Sequence, residues 1–117
     1  MTNSISYVDN VLTLPSKNIK FPFDIDSLIV FNGVFVVLLD IPNEDDTIDN
    51  IFALDIDGKK LWRVQSVSKA YPNVTQFSPY IGMTLLENGN ISATNYFGVN
   101  YEISIEDGSI LSKRMVK

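Results

Sequence analysis

The sequence predicts an all-β domain of two four-stranded antiparallel meanders, each like a propeller blade. They form one curved sheet or a small sandwich, with about eight strands in all. Three observations carry that expectation. Asn-Gly or Asp-Gly pairs stand at Asn32-Gly33, Asp57-Gly58, Asn88-Gly89 and Asp107-Gly108, and such pairs supply the positive φ angles of tight hairpin turns. Runs rich in β-branched and aromatic residues flank each pair. No stretch has a convincing helical period: 64–70 is the one candidate, it lacks caps, and Tyr71-Pro72 ends it.

Taken in order, the first hairpin runs over 27–31 and returns through 34–39. Its second arm, Val34-Phe35-Val36-Val37-Leu38-Leu39, is apolar on both faces, so both faces need a cover. A strand at 11–14 and the Phe21-Pro22-Phe23 corner are placed to cover one of them. The second hairpin runs 51–56 and 60–64, the third 81–86 and 91–96, the fourth 101–105 and 110–115. Ile91-Ser92-Ala93-Thr94-Asn95-Tyr96 alternates and so has one wet face.

The hairpins come as two copies of one unit of about 50 residues. Phe52-Ala53-Leu54-Asp55-Ile56 aligns with Tyr101-Glu102-Ile103-Ser104-Ile105, Asp57-Gly58 with Asp107-Gly108, and Leu61 with Leu111. The second copy carries one extra turn residue, Glu106, and the first carries a longer loop over 42–50. A single domain over 1–117 is expected, with repeat one at about 27–66 and repeat two at about 80–116.

The run Asn50-Ile51-Phe52-Ala53-Leu54-Asp55-Ile56-Asp57-Gly58-Lys59-Lys60-Leu61-Trp62 resembles the blade repeat of quinoprotein-type β-propellers. In that repeat an Ala-Leu-Asp strand, a glycine turn and a Leu-Trp strand recur. The second copy is degenerate, with Glu102-Ile103-Ser104 for Ala-Leu-Asp and Ser112 where Trp62 would be. The resemblance implies blade-like meanders with Trp62 in the core at a blade edge. It implies no quinone, whose site lies on the axis of a complete ring, and two blades cannot close a ring.

Chemistry is narrowed by what is missing. The 117 residues include no histidine and no cysteine, which excludes thiolate catalysis, disulfides, serine–histidine triads and His/Cys zinc sites. A net charge of -5 repels phosphate backbones and anionic membranes, so direct nucleic-acid binding is not expected. No stretch is long enough to span a bilayer and the first residues lack a signal-peptide pattern, so a cytoplasmic protein is expected. Asp57 and Glu106 sit at turns, where acids serve local hydrogen bonding. No enzyme activity, metal or cofactor is therefore expected.

Two segments remain. Pro42-Asn43-Glu44-Asp45-Asp46-Thr47-Ile48-Asp49 reads either as an acidic finger for a basic groove or as a solvated polar loop. The linker between the repeats holds Tyr71, Phe77 and Tyr80, which read either as aromatic anchors for a partner or as rings tucked under a proline-stiffened segment. The overall character of the chain is similar to immunity proteins of bacterial contact-dependent growth-inhibition systems. That resemblance implies binding to a cognate toxin domain, often a nuclease, and blockage of its active site. Glu44, Asp45, Asp46 and Asp49 would then steer and compete with substrate phosphate, while Tyr71, Phe77 and Tyr80 supply contact area. The alternative is a self-associating, blade-like interaction module that forms a homo-oligomer.

Overall fold

Backbone conformation at the turns sets the architecture. The computed structural model describes residues 5–115, so the expected end of the second repeat at 116 lies outside the described residues. Asn32 and Gly33 both take positive φ, 50° and 78°, which makes the two-residue type I′ hairpin that the sequence predicts. The other three turns are longer, and in each only the glycine enters the left-handed region. Gly58 N–H donates to Asp55 O and Gly89 N–H to Leu86 O, both at 3.0 Å. With Glu106 inserted, the last turn is one residue longer and Gly108 N–H reaches Ser104 O at 2.9 Å.

Among the described residues these turns organise eleven strands in three antiparallel sheets. The second sheet is β4 (Ile25–Phe31), β5 (Val34–Leu39), β6 (Ile51–Leu54) and β7 (Lys60–Arg63). The third is β8 (Tyr80–Leu85), β9 (Ile91–Asn95), β10 (Val99–Ile103) and β11 (Ile110–Met115). Between them lies one helical turn, α1 (Val67–Ala70). These are the two expected four-stranded meanders. A first sheet precedes them, β1 (Ser6–Val8), β2 (Val11–Thr13) and β3 (Asn18–Lys20), which raises the strand number above the expected eight. The expected 11–14 strand is its centre.

The three sheets stack face to face with the second in the middle, so the arrangement is layered and does not close. Residues of β5 and β6 alternate between two cores. Val36, Leu38, Ile51 and Ala53 pack towards the third sheet, against Tyr80, Ile91, Tyr101 and Ile103. Phe35, Val37, Leu39, Phe52 and Leu54 pack towards the first, against Leu12, Leu14 and Phe21. That explains the two-faced apolar run in β5, since each face buries its own set at roughly 1.5–3 kcal/mol per large side chain.

Each interface is keyed through a glycine turn. Trp62, buried as expected, donates from Nε1 to Ile105 O at 3.0 Å, and its ring lies so close to Gly108 that an added Cβ would sit 2.5 Å from Cε3. Gln65 completes the join, its N–H donating to Gly108 O while its Oε1 accepts from Ile110 N–H. On the other interface Gly58 occupies the matching turn, and an added Cβ there would meet Ile19 Cδ1 and Lys17 Cδ at 2.9 Å.

The outward face of the third sheet is polar. Asn100 Nδ2 donates to Ser92 Oγ and Thr94 Oγ1, at 2.8 and 3.0 Å. Glu102 accepts from Asn88 and Asn90, whose amides hold its carboxyl below the usual range. Here Ser112, in the place of Trp62, has no further sheet to key into.

Candidate functional site

Strand direction sorts the connections to two ends. Every strand leading into a glycine turn points the same way, so residues 32–33, 55–59, 86–90 and 104–109 share one end of the stack. The acidic loop, the linker beyond Gln65 and the 96–98 turn share the other, where Asn50 bonds Tyr80 and Tyr96 N–H bonds Pro79 O. That second end carries the irregular, variable-length segments, which is where binding residues concentrate on a rigid scaffold.

Asn50 anchors this end. Fully buried, it donates from Nδ2 to Leu39 O (2.7 Å) and Tyr80 O (2.9 Å) and accepts from Tyr80 N–H (2.9 Å). One side chain thus ties the exit of β5, the base of the acidic loop and the start of β8. Leaving those groups unpaired would cost on the order of 1–3 kcal/mol. Its neighbour Asp49 is half-buried, and burial pushes its carboxyl up while the nearby Arg63 pulls it down. Arg63 Nε donates to the Asp49 backbone oxygen at 2.7 Å.

Beyond that anchor Glu44, Asp45 and Asp46 are exposed. Thr47 hydrogen-bonds Asp45 and holds its carboxyl below the usual range. The acidic surface is wider than the loop. Asp40 N–H donates to Asp24 O at 2.8 Å, and Asp26 and Asp40 line one small crevice with Ile41, Pro79 and the 58% exposed Ile81. Sequence reasoning missed Asp24, Asp26 and Asp40, because they stand apart in the chain and meet only through the β4–β5 register. Among the described residues no three acidic side chains converge as metal ligands.

The aromatic candidates separate. Phe77 is 39% exposed and shares a crevice with Ile48 and Asp49 of the acidic loop. Tyr71 is half-buried against Tyr101, with Lys113 Nζ 4.8 Å from its ring centre, and so faces the far side of the linker. Tyr80 is a correction: at 3% exposure it is a core residue, edge-on to Tyr101 at 5.9 Å, and offers a partner no surface. Burial pushes its hydroxyl well above the ordinary range. Two exposed rings were missed, Tyr96 (71%) and Phe97 (46%), stacked edge to face at 5.8 Å. Tyr96 had read as the end of a strand, but Asn95 Oδ1 accepts from the N–H of both Phe97 and Val99 and turns the chain there. Tyr96 N–H in turn meets Pro79 O and Ser78 Oγ, which holds this turn against the linker.

The fold and this end together define a stacked-meander β domain that presents acidic and aromatic loops, and among the described residues no helix is long and apolar enough to cross a membrane. Among solved structures the crystal structure of a computationally designed protein, Ika8, is similar, with a TM-score of 0.60 at 9% identity, over 97% of this chain. The match spans 36% of the designed chain, and at that identity it concerns the fold alone. No curated protein matches. The chain belongs to the family described as domain of unknown function DUF7957, whose model matches residues 1–115.

Proposed function

We propose that the protein is an immunity protein that binds a cognate bacterial toxin domain, of the kind deployed in contact-dependent growth inhibition, and neutralises it in the cytoplasm. The partner is a basic nuclease domain, and the acidic end covers its active site. On this reading the two repeats are propeller-blade-like meanders retained as a rigid scaffold, and the protein is a binder without catalysis of its own. The observation that supports it is that Glu44, Asp45 and Asp46 lie at the same end of the stack as Asp24, Asp26 and Asp40, with the exposed rings of Phe77, Tyr96 and Phe97 at that end too. A nuclease must be basic where it holds phosphate, and ionised acids on a fixed loop compete there while steering encounter. Exposed rings beside them supply desolvated contact area.

The hydrogen-bonded polar face of the third sheet weighs against the alternative, a self-associating module, since polar outer faces end a stack rather than extend it. The test is a titration of the protein against the toxin domain encoded beside it, at low and high salt. The expected result is tight binding that salt weakens and that Glu44→Ala/Asp45→Ala/Asp46→Ala reduces at least tenfold, with loss of protection. Unchanged binding and protection by that triple variant would overturn the reading.

A further inference from the structure

We propose that the cleft between the first and second sheets is a binding site for a small organic anion with an apolar body. The cleft holds about 470 Å³, within the range of small-molecule sites. Its floor is apolar: Phe21, Leu39, Phe52 and Leu54 are all buried and belong to one core. Its rim is cationic, with Lys20, Lys60 and Arg63 exposed around it.

The register creates this combination. Phe52 pairs with Arg63 and Leu54 with Lys60 across β6 and β7, so both cations share a face with the two apolar side chains. Lys60 Nζ and Arg63 Cζ each lie 5.0 Å from the centre of the Phe52 ring. Arg63 uses its Nε–H on the Asp49 backbone oxygen, which leaves the terminal amino groups for an anion. Among the described residues no carboxylate lines the cleft itself, in a chain whose net charge is -5; the Asp49 carboxyl lies outside it, near Arg63.

The cleft is a gap in a repeated packing scheme. Between the second and third sheets the wedge beside the glycine turn is plugged by Trp62, with Val64 and Val67 behind it. Between the first and second sheets the apolar side chain against the matching glycine, Gly58, is Ile19, beside the stem of Lys17. The smaller, half-buried residue leaves the wedge open. An apolar body laid on Phe52 and Leu54, with its carboxylate or sulfonate among Lys20, Lys60 and Arg63, fills that gap and meets charge-assisted donors.

The probe is 8-anilinonaphthalene-1-sulfonate, titrated into the whole chain by fluorescence, with uncharged N-phenyl-1-naphthylamine as its neutral match. Saturable one-site binding of the sulfonate is expected, weakened about tenfold by Lys60→Gln/Arg63→Gln, while the neutral dye is unaffected by that change. Ile19→Trp fills the wedge and abolishes binding of both dyes while thermal melting stays cooperative and is not lowered. Lys113→Gln/Arg114→Gln, in the separate groove beside the linker, leaves binding intact. Absence of saturable binding overturns the proposal. So does binding that survives both Lys60→Gln/Arg63→Gln and Ile19→Trp, or that is lost with Lys113→Gln/Arg114→Gln instead.

Discussion

The two interfaces flanking the second sheet are built to one plan and finished differently. Both set the last strand of one sheet against a left-handed glycine in the third turn of the next, Ile19 against Gly58 and Trp62 against Gly108. The Trp62 interface is closed by an indole, a buried indole hydrogen bond and the Gln65 crosslink. The Ile19 interface is closed along its inner part by Leu12, Phe35 and Val37 but stays open at the outer edge. A repeat thus fixes how sheets dock, while one side chain per repeat decides whether the join is a seal or a pocket.

The largest effect should come from removing the seal. Trp62→Ala is expected to cost about 3–5 kcal/mol, the range for deleting a buried aromatic. Ile19→Ala, at a half-buried site, is expected to cost about 1–2 kcal/mol. Chemical denaturation of both variants measures the contrast, and equal losses would break it.

Gly108→Ala against Gly58→Ala sharpens the same contrast at smaller scale. Both positions have positive φ, 77° and 83°, so both pay about 1–2 kcal/mol of left-handed strain. At Gly108 the new methyl also meets the fixed indole of Trp62, adding about 1–3 kcal/mol of overpacking. At Gly58 it meets the movable ends of Ile19 and Lys17, which can turn aside. A shift in melting temperature that is larger for Gly108→Ala is the expected result.

The smallest effect lies on the exposed face of the third sheet and depends on pH. Glu102 has its carboxyl lowered by hydrogen bonds from Asn90 and then Asn88, below a reference value of 4.5. Its contribution is therefore present above that reference value and is lost as pH falls through the lower folded value. Melting temperature followed from neutral to acid pH should fall less steeply below the reference value in Glu102→Gln than in the parent.

Most of the second and third sheets was legible because their turns announce themselves. Glycine is the residue that enters left-handed conformations freely, and the strands between such turns are long enough to show their faces, as β5 and β9 do. Of the first sheet only the central strand, expected at 11–14, was legible; β1 and β3 were not. The sheet's first turn uses Asp9 at a φ of 53°, a conformation that leaves no glycine in the sequence, and its strands are three residues each. At the candidate site, Glu44, Asp45 and Asp46 were readable because a run of charge belongs on a surface. Tyr80 was misread because a tyrosine that follows a proline at the end of a linker gives no sign of which face it will occupy. The cleft above Phe52 was invisible, since its walls come from β3, β5, β6 and β7 and meet only once the sheets are stacked.

The middle position of the second sheet also governs how the molecule can come apart. Every strand pairs with its neighbour in sequence, so each sheet is a local unit that can open by itself. Detaching the first or the third sheet exposes one core and leaves the other standing. Opening β5 and β6 destroys both at once, because their alternate side chains are common to the two. Unfolding is therefore ordered from the outside inwards, and the backbone amides of those two strands are the last to meet solvent.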